Sequence, residues 1–305
     1  MTKSSFAQFC AIAAVVTLPS LSFAGAPAKC KDKKCCDKPA QSLSESAFAA
    51  DLGVNVVTSY YRRGVLIAKH SASIQPYVDV AFTAYKGDGF LNKATFGLGL
   101  WQSYTNPASV KPNVGNNQSL IQQDITPSLA LTFGNFTLTE SYLFLNFPNT
   151  AISQPGGVRD AQGVSSKLSY NDTDLLGAFA LHPSFTWVKE LDGKIGSSAN
   201  SYDGNPVKDK QGSYYEVAVA PSTTAGPVTV TLPVVAAFGS NGFYAKDGYG
   251  YLSAGLNLGY ALPVAKRYGN WIANAGATYY NLNKSAVGSS AYNDVVGSFG
   301  LGVAF

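Results

Sequence analysis

The sequence predicts an all-β chain: a transmembrane antiparallel β-barrel of twelve strands behind a short disordered N-terminal tail. Three observations lead there. The composition is poor in charge, 13% against the ~25% of an ordinary soluble protein, yet carries 30 Gly, 18 Tyr and 17 Phe. From Asp51 onward, segments of 9–13 residues alternate apolar with polar or small side chains, the faint signature of membrane strands. The connections between these segments run long, short, long, short, as in barrels with tight turns at one end and large loops at the other.

The start of the chain stands apart. Lys3, the apolar run 6–18 (FAQFCAIAAVVTL) and the small-x-small site SFA at 22–24 have the order of a secretory signal cleaved after Ala24. Residues 25–50 form a Lys/Cys-rich tail, expected to be periplasmic. The stretch 29–38 holds five Lys and two Asp. Setting it aside with Lys3 and Glu45 leaves 16 basic and 15 acidic residues for 51–305. The body is near neutral, which gives nucleic-acid binding no electrostatic basis. Cys10 lies in the signal; Cys30, Cys35 and Cys36 lie in the tail. Their clustering makes no disulfide framework. Three thiols within seven residues make a weak soft-metal candidate, short of the fourth ligand zinc wants. Lys29 directly before Cys30 speaks against a lipid anchor there.

The barrel is expected to occupy 51–305. Its strands are predicted at 51–61, 74–86, 93–105, 121–133, 135–147, 174–182, 183–190, 213–221, 227–238, 249–262, 270–281 and 294–305. In the fourth, Ile125, Leu129, Leu131 and Phe133 oppose Gln122, Asp124, Thr126 and Ser128. In the tenth, Leu252, Leu256 and Leu258 oppose Tyr251, Ser253 and Asn257. Neither face of the fifth (FTLTESYLFLNF) is clean. The short connections are expected at 87–92, Gly134, His182-Pro183, 222–226 and 264–269. The long ones are expected near 62–73, 106–120, 148–173, 191–212, 239–248 and 282–293. An even strand count puts both ends of the barrel on the short-turn side. A soluble barrel fills its interior with bulky apolar residues, and a double layer of Gly, Ser, Thr and Asn makes a poor core.

The last strand, VVGSFGLGVAF, places Val295, Phe299, Leu301, Val303 and Phe305 on one face with small residues between. Its AF end resembles the terminal strand that the outer-membrane assembly machinery reads. TSYYRRGVL (58–66) and IQPYVDVAFTAYKGDGFLNKATFGLGLWQS (74–103) resemble the N-terminal half of outer-membrane porins of the TorF type. These open with a Tyr-x-x-Arg-Gly element before the barrel. HPSFTWVKELDG (182–193) and GSYYEVAVAPS (212–222) resemble the central strands of that family. Here the element reads YYRRG, with Arg62 added beside Arg63, and the Cys-rich tail departs from the pattern. The resemblance implies the Gram-negative outer membrane as location and a barrel as architecture, more than any substrate; lipid, the assembly machinery and small polar solutes or ions are the expected partners.

Charges in such a barrel are few, so their parity matters. Asp79, Asp124, Glu140 and Glu216 stand in mid-segment and are taken as lumen candidates, because a charge on the lipid face is costly. Arg62 and Arg63, in the first long loop, would fold inward to pair with these acids or would form a constriction of their own. Tyr77 and Tyr251 face inward by parity. Tyr60, Tyr61, Tyr214, Tyr280 and Trp101 are among the aromatics expected in an interfacial girdle. The expected function is passive diffusion of small polar solutes or ions without a cofactor. A closed structural or adhesive barrel is the alternative. An enzyme is not expected: of the two His, His182 precedes Pro183 in a turn and His70 stands beside Ser71, and neither belongs to a visible triad.

Overall fold

The computed structural model describes residues 47–106, 119–148, 160–193, 195, 211–240, 242–287 and 292–305. The expected signal and the tail with Cys30, Cys35 and Cys36 lie outside the described residues.

The strands are β1 (Phe48–Val57), β2 (Tyr60–Arg62), β3 (Val65–Ala68), β4 (Ser73–Lys86), β5 (Lys93–Tyr104), β6 (Leu120–Phe133), β7 (Phe136–Asn146), β8 (Asp160–Tyr170), β9 (Ser184–Asp192), β10 (Ser213–Val219), β11 (Ser222–Ala225), β12 (Val228–Thr231), β13 (Val234–Gly239), β14 (Gly248–Ala261), β15 (Asn270–Leu282) and β16 (Asn293–Ala304). All but β2 and β3 belong to one antiparallel sheet. β10 and β11 form one crossing interrupted at Ala220-Pro221, and β12 and β13 form one interrupted at Leu232-Pro233. Proline has no N–H to give the ladder, so it breaks a strand where it falls. The sheet therefore crosses twelve times. It closes on itself because β16 pairs with β1 on one side and β15 on the other, and β15 pairs with β14.

Closure gives each crossing a strand neighbour on both sides, while β11, at the turn end, pairs only with β12 among the described residues. Closure is carried to the last residue, where the Phe305 amide donates to the Ala50 carbonyl at 2.9 Å. Side chains sort by parity. Ile74, Val78, Val80 and Phe82 of β4 point outward and are exposed, while Ser73, Gln75, Tyr77 and Asp79 point inward and are buried. Aromatic pairs ring the turn end on the outside: Phe48 with Phe82, Phe90 with Phe133 and Phe136 with Tyr170, at 4.6–5.0 Å between centroids.

Three expectations are corrected. The predicted first strand, 51–61, starts earlier and ends at Val57, and the chain then turns into the barrel. The predicted strand 174–182 is not a strand. The sixth crossing is β8, 160–170, inside the segment expected as the loop 148–173, and α1 (Thr173–Leu176) follows it. In DAQGVSSKLSY the outward face carries the polar Asp160, Gln162 and Ser166 opposite the small inward Ala161, Gly163 and Ser165, so its alternation is inconspicuous. Accordingly, the tight turn at His182-Pro183 is replaced by a longer connection, 171–183.

That connection is organised by Asp172. Its carboxylate accepts the amides of Leu181 and His182, each at 2.9 Å, and lies 3.6 Å from His182 Nδ1. These bonds hold His182 at φ +48, a left-handed conformation that costs a non-Gly residue energy. Desolvation pushes the Asp172 carboxyl up, but the two amides and His182 outweigh it and hold the pKa below the ordinary 3.8. Asp172→Ala is expected to cost about 2–3 kcal/mol, the scale of hydrogen bonds to a charged group, read from urea titration of the barrel refolded in lipid vesicles. Because the folded pKa is the lower one, this stabilisation is present above 3.8 and lost as the pH falls through the folded value. The gap between wild type and variant should therefore close on acidification, and a gap that stays constant would contradict the carboxylate's role.

Candidate functional site: a hairpin inside the barrel

The segment 58–72 does not extend away from the barrel mouth. β2 and β3 pair as a small hairpin, with Tyr61 opposite Leu66 and Arg62 opposite Val65. Its two-residue turn is Arg63-Gly64, at φ +48 and +81, the signs required by a type I′ turn. The hairpin lies within the barrel near the loop end: Tyr60, Tyr61, Arg62, Arg63, Val65 and Ala68 are each at most 7% exposed.

The wall receives it with specific partners. The Tyr60 hydroxyl and Arg62 Nη1 both donate to Gln122 Oε1, at 2.8 and 3.1 Å. Gln122 Nε2 in turn donates to both oxygens of Asp124, at 2.8 and 2.9 Å. Asp124 thus meets the hairpin through Gln122. Arg62 also lies over the Phe147 ring at 4.5 Å, and Arg63 over Tyr214 at 5.7 Å, distances at which a ring face attracts a cation. The Tyr61 hydroxyl donates to Asp294 at 2.5 Å while its ring stacks on Tyr280 at 4.9 Å. The Tyr244 hydroxyl donates to the Arg63 carbonyl at 2.7 Å. Among the described residues, Arg62 Nε and Arg63 Nη1 are buried with no hydrogen-bond partner.

The turn fits closely. A Cβ on Gly64 would come 2.5 Å from Tyr251 Cδ1. Gly64→Val adds that clash to about 1–2 kcal/mol of left-handed strain and should undock the hairpin. Trypsin digestion of the folded barrel, read by mass spectrometry, is the check: cleavage after Arg62 or Arg63 in the variant and protection in wild type. Equal protection would show that the hairpin accommodates the side chain.

Other inward charges surround this centre. Glu216 points into the lumen and accepts the Tyr214 hydroxyl, which also lies 3.0 Å from the Tyr251 hydroxyl. Asp79 sits nearer the middle of the wall, directly across from Asp51 on β1, and Tyr77 donates to Asp51 at 3.2 Å. Three inward residues were missed by sequence reasoning. Glu190, fully buried, accepts the amides of Ile195 and Gly212 at 2.7 and 2.8 Å, tying down both ends of the loop 193–212. Its parity with Thr186 and Val188 was a usable signal. Asp51 was taken only as the start of a strand. Lys167 faces the lumen between Thr139 and Thr186, and was hidden by the misplaced sixth strand.

Two further corrections concern side chains. Tyr60, Tyr61, Tyr214, Tyr280 and Trp101 do not form an outer girdle; they line or fill the interior. Glu140 is not a lumen residue. It pairs with Leu129 and Ser166 on the outer face, is exposed, and accepts the Ser166 hydroxyl at 2.6 Å. Phe299, Leu301 and Phe305 are exposed at the closing seam, with Val303 on the same outer face but covered. His182 is engaged with Asp172, and His70 donates its amide to the Ser59 hydroxyl at 3.2 Å. Among the described residues no group of three His, Cys, Asp or Glu is placed to hold a metal ion.

No family model matches the chain, and none of the curated proteins matches it in sequence. Solved structures with a similar arrangement include an outer membrane channel from Pseudomonas putida F1, at 11% identity and TM-score 0.48, covering 88% of this chain and 99% of that one. The NanC porin follows at 11% identity and TM-score 0.45, covering 84% and 98%. Outer membrane phospholipase A from Escherichia coli has 12% identity and TM-score 0.43, covering 83% and 89%. At these scores nothing about solute or chemistry transfers.

Proposed function

We propose that this chain is a channel of the Gram-negative outer membrane, giving passive diffusion to small polar solutes or ions through a lumen narrowed by the hairpin 60–68. The observation that carries the reading is the pairing of a lumen wall of small and polar residues with a loop element that brings Arg62 and Arg63 inside. In a soluble barrel that interior would be filled with bulky apolar side chains; the apolar band here is on the outside, where hydrocarbon would cover it. We orient the barrel by its connections: the end with the tight turns, which also carries 171–183 and both barrel termini, is periplasmic, with Phe299, Leu301, Val303 and Phe305 as the seam read during assembly. The cations Arg62, Arg63 and Lys167 stand among the carboxylates Asp79, Asp124 and Glu216. The selectivity of this lumen is therefore set by their balance.

A second reading is favoured by one observation. Tyr60, Leu143, Tyr214, Phe243 and Tyr244 belong to one buried cluster at the loop end, and such packing suits a barrel that is closed and binds partners through its loops. Purified protein in a planar bilayer separates the two. Discrete conductance steps in wild type support the channel; a folded, inserted protein without steps supports the closed barrel.

A further inference from the structure

We propose that the outer face around Glu140, Ser166 and Trp187 is the contact surface for a second copy of this chain, the two related by a two-fold axis along the membrane normal. Glu140 lies four residues from Phe136 of the aromatic ring. At about 3.4 Å per residue along a strand tilted by ~40°, that is roughly 10 Å into an apolar band about 25 Å tall. A carboxyl at that depth on the outer face is costly against lipid. Of the nearby outer positions, Leu129, Leu138, Val164 and Leu168 are apolar, and the polar groups of the next row are already engaged, Tyr142 with Gln162 and Lys189 with the Gln211 carbonyl.

A second irregularity lies beside it. The ladder between β6 and β7 pairs Ile125 with Phe144 and resumes at Ser128 with Ser141, skipping Thr126-Pro127 opposite Tyr142-Leu143. Pro127 has no N–H, so a ladder donor is missing at membrane depth, where backbone groups demand partners. The patch therefore joins a carboxyl, a hydroxyl and a broken ladder on one outward surface.

A copy of the same chain supplies what this patch lacks. Glu140, Ser166 and Trp187 form one cross-strand row, with Ser166 in the middle. A two-fold contact exchanges residues reciprocally. An axis through Ser166 brings the Glu140 of each copy toward the Trp187 of the other, and indole N–H is a donor in want of an acceptor. Among the described residues no hydrogen bond to Trp187 Nε1 is formed, and Ser166 engages only one Glu140 oxygen. Glu140 and Trp187 would thereby satisfy one another twice across the interface.

The test places Ser166→Cys in a full chain carrying Cys30→Ser, Cys35→Ser and Cys36→Ser, reconstituted in bilayers and oxidised. A cross-linked dimer is expected for most of the protein, and a control with Val54→Cys on the far wall should stay monomeric. Subunit counting in bilayers should find wild-type dimers, with Glu140→Leu and Trp187→Phe each lowering the dimer fraction at least five-fold. Heat-modifiable migration on gels confirms that each variant is folded, and Trp187→Phe carries the test if Glu140→Leu is not. Monomeric wild type, which would mean a lipid-covered patch, overturns the proposal. So does a Ser166→Cys barrel that folds without cross-linking, or dimers indifferent to both substitutions.

Discussion

Excising the hairpin, residues 60–68, is expected to raise single-channel conductance several-fold, or to create conductance where wild type shows none. The deletion is geometrically mild. Tyr60 pairs with Ala68, so the flanking residues Ser59 and Lys69 stand about one strand spacing apart and are joined by one or two glycines. What leaves is a block of buried side chains at the loop end, including Tyr60, Tyr61, Val65 and Ala68. What stays is the twelve-crossing ladder, none of whose hydrogen bonds involve the hairpin. Stability should fall because the stack of Tyr61 on Tyr280 and the bonds to Gln122 and Asp294 are lost, yet the closed sheet should still form. Conductance unchanged from wild type in a folded variant would mean that ions are limited elsewhere, and the hairpin would no longer be the constriction.

Replacing both Arg62 and Arg63 with Gln is expected to shift permeability toward cations by about five-fold. In surroundings of water-like dielectric a unit charge about 4 Å away contributes about 1 kcal/mol, which is about five-fold in a permeability ratio. The shift is smaller if salt screens the lumen fully and larger if the hairpin level excludes water. The direction follows from what remains. Asp124 is still bonded to Gln122 and Glu216 to Tyr214, and Lys167 is the lumen cation that remains, on the wall rather than on the hairpin. Reversal potentials under a potassium chloride gradient measure it. A ratio that does not move would show that the two guanidinium groups are neutralised where they sit and do not face the ion path. Separately, loss of the Arg62 bond to Gln122 and of its contact with Phe147 should loosen the hairpin by about 2–3 kcal/mol, visible as trypsin-independent proteolysis between β1 and β4.

Parts of this architecture were legible one residue at a time. In β6, β12, β14 and β16 the outward residues are bulky and apolar while the inward ones are small or polar, so alternation alone found the strand and its face. In β8 that contrast fades, and Lys167 and Ser166 stand side by side on opposite faces. A helix-like run nearby, TDLLGAF, drew the strand to the wrong place. In β7 the inward face carries Leu143 and Leu145, because the hairpin and loops provide an apolar neighbour inside the barrel. The outward face carries Glu140. Each face then looks mixed, which is why FTLTESYLFLNF gave no clean reading and Glu140 was placed on the wrong side.

The sequence by itself determined that this chain is a closed antiparallel barrel with an apolar outside. A period of two sorts every strand between two environments, and that sorting is written in consecutive residues. It also marked Arg62-Arg63-Gly64 as an unusual element. Only the tertiary structure decided that this element turns inward and meets Gln122, Asp294, Tyr244 and Tyr280. Those partners lie 60 to 233 positions away along the chain in no periodic relation, brought together by closure of the ring. The physical reason is range. Strand parity is a local property of the backbone, whereas the occupancy of the lumen depends on which loop reaches across it and finds complementary walls.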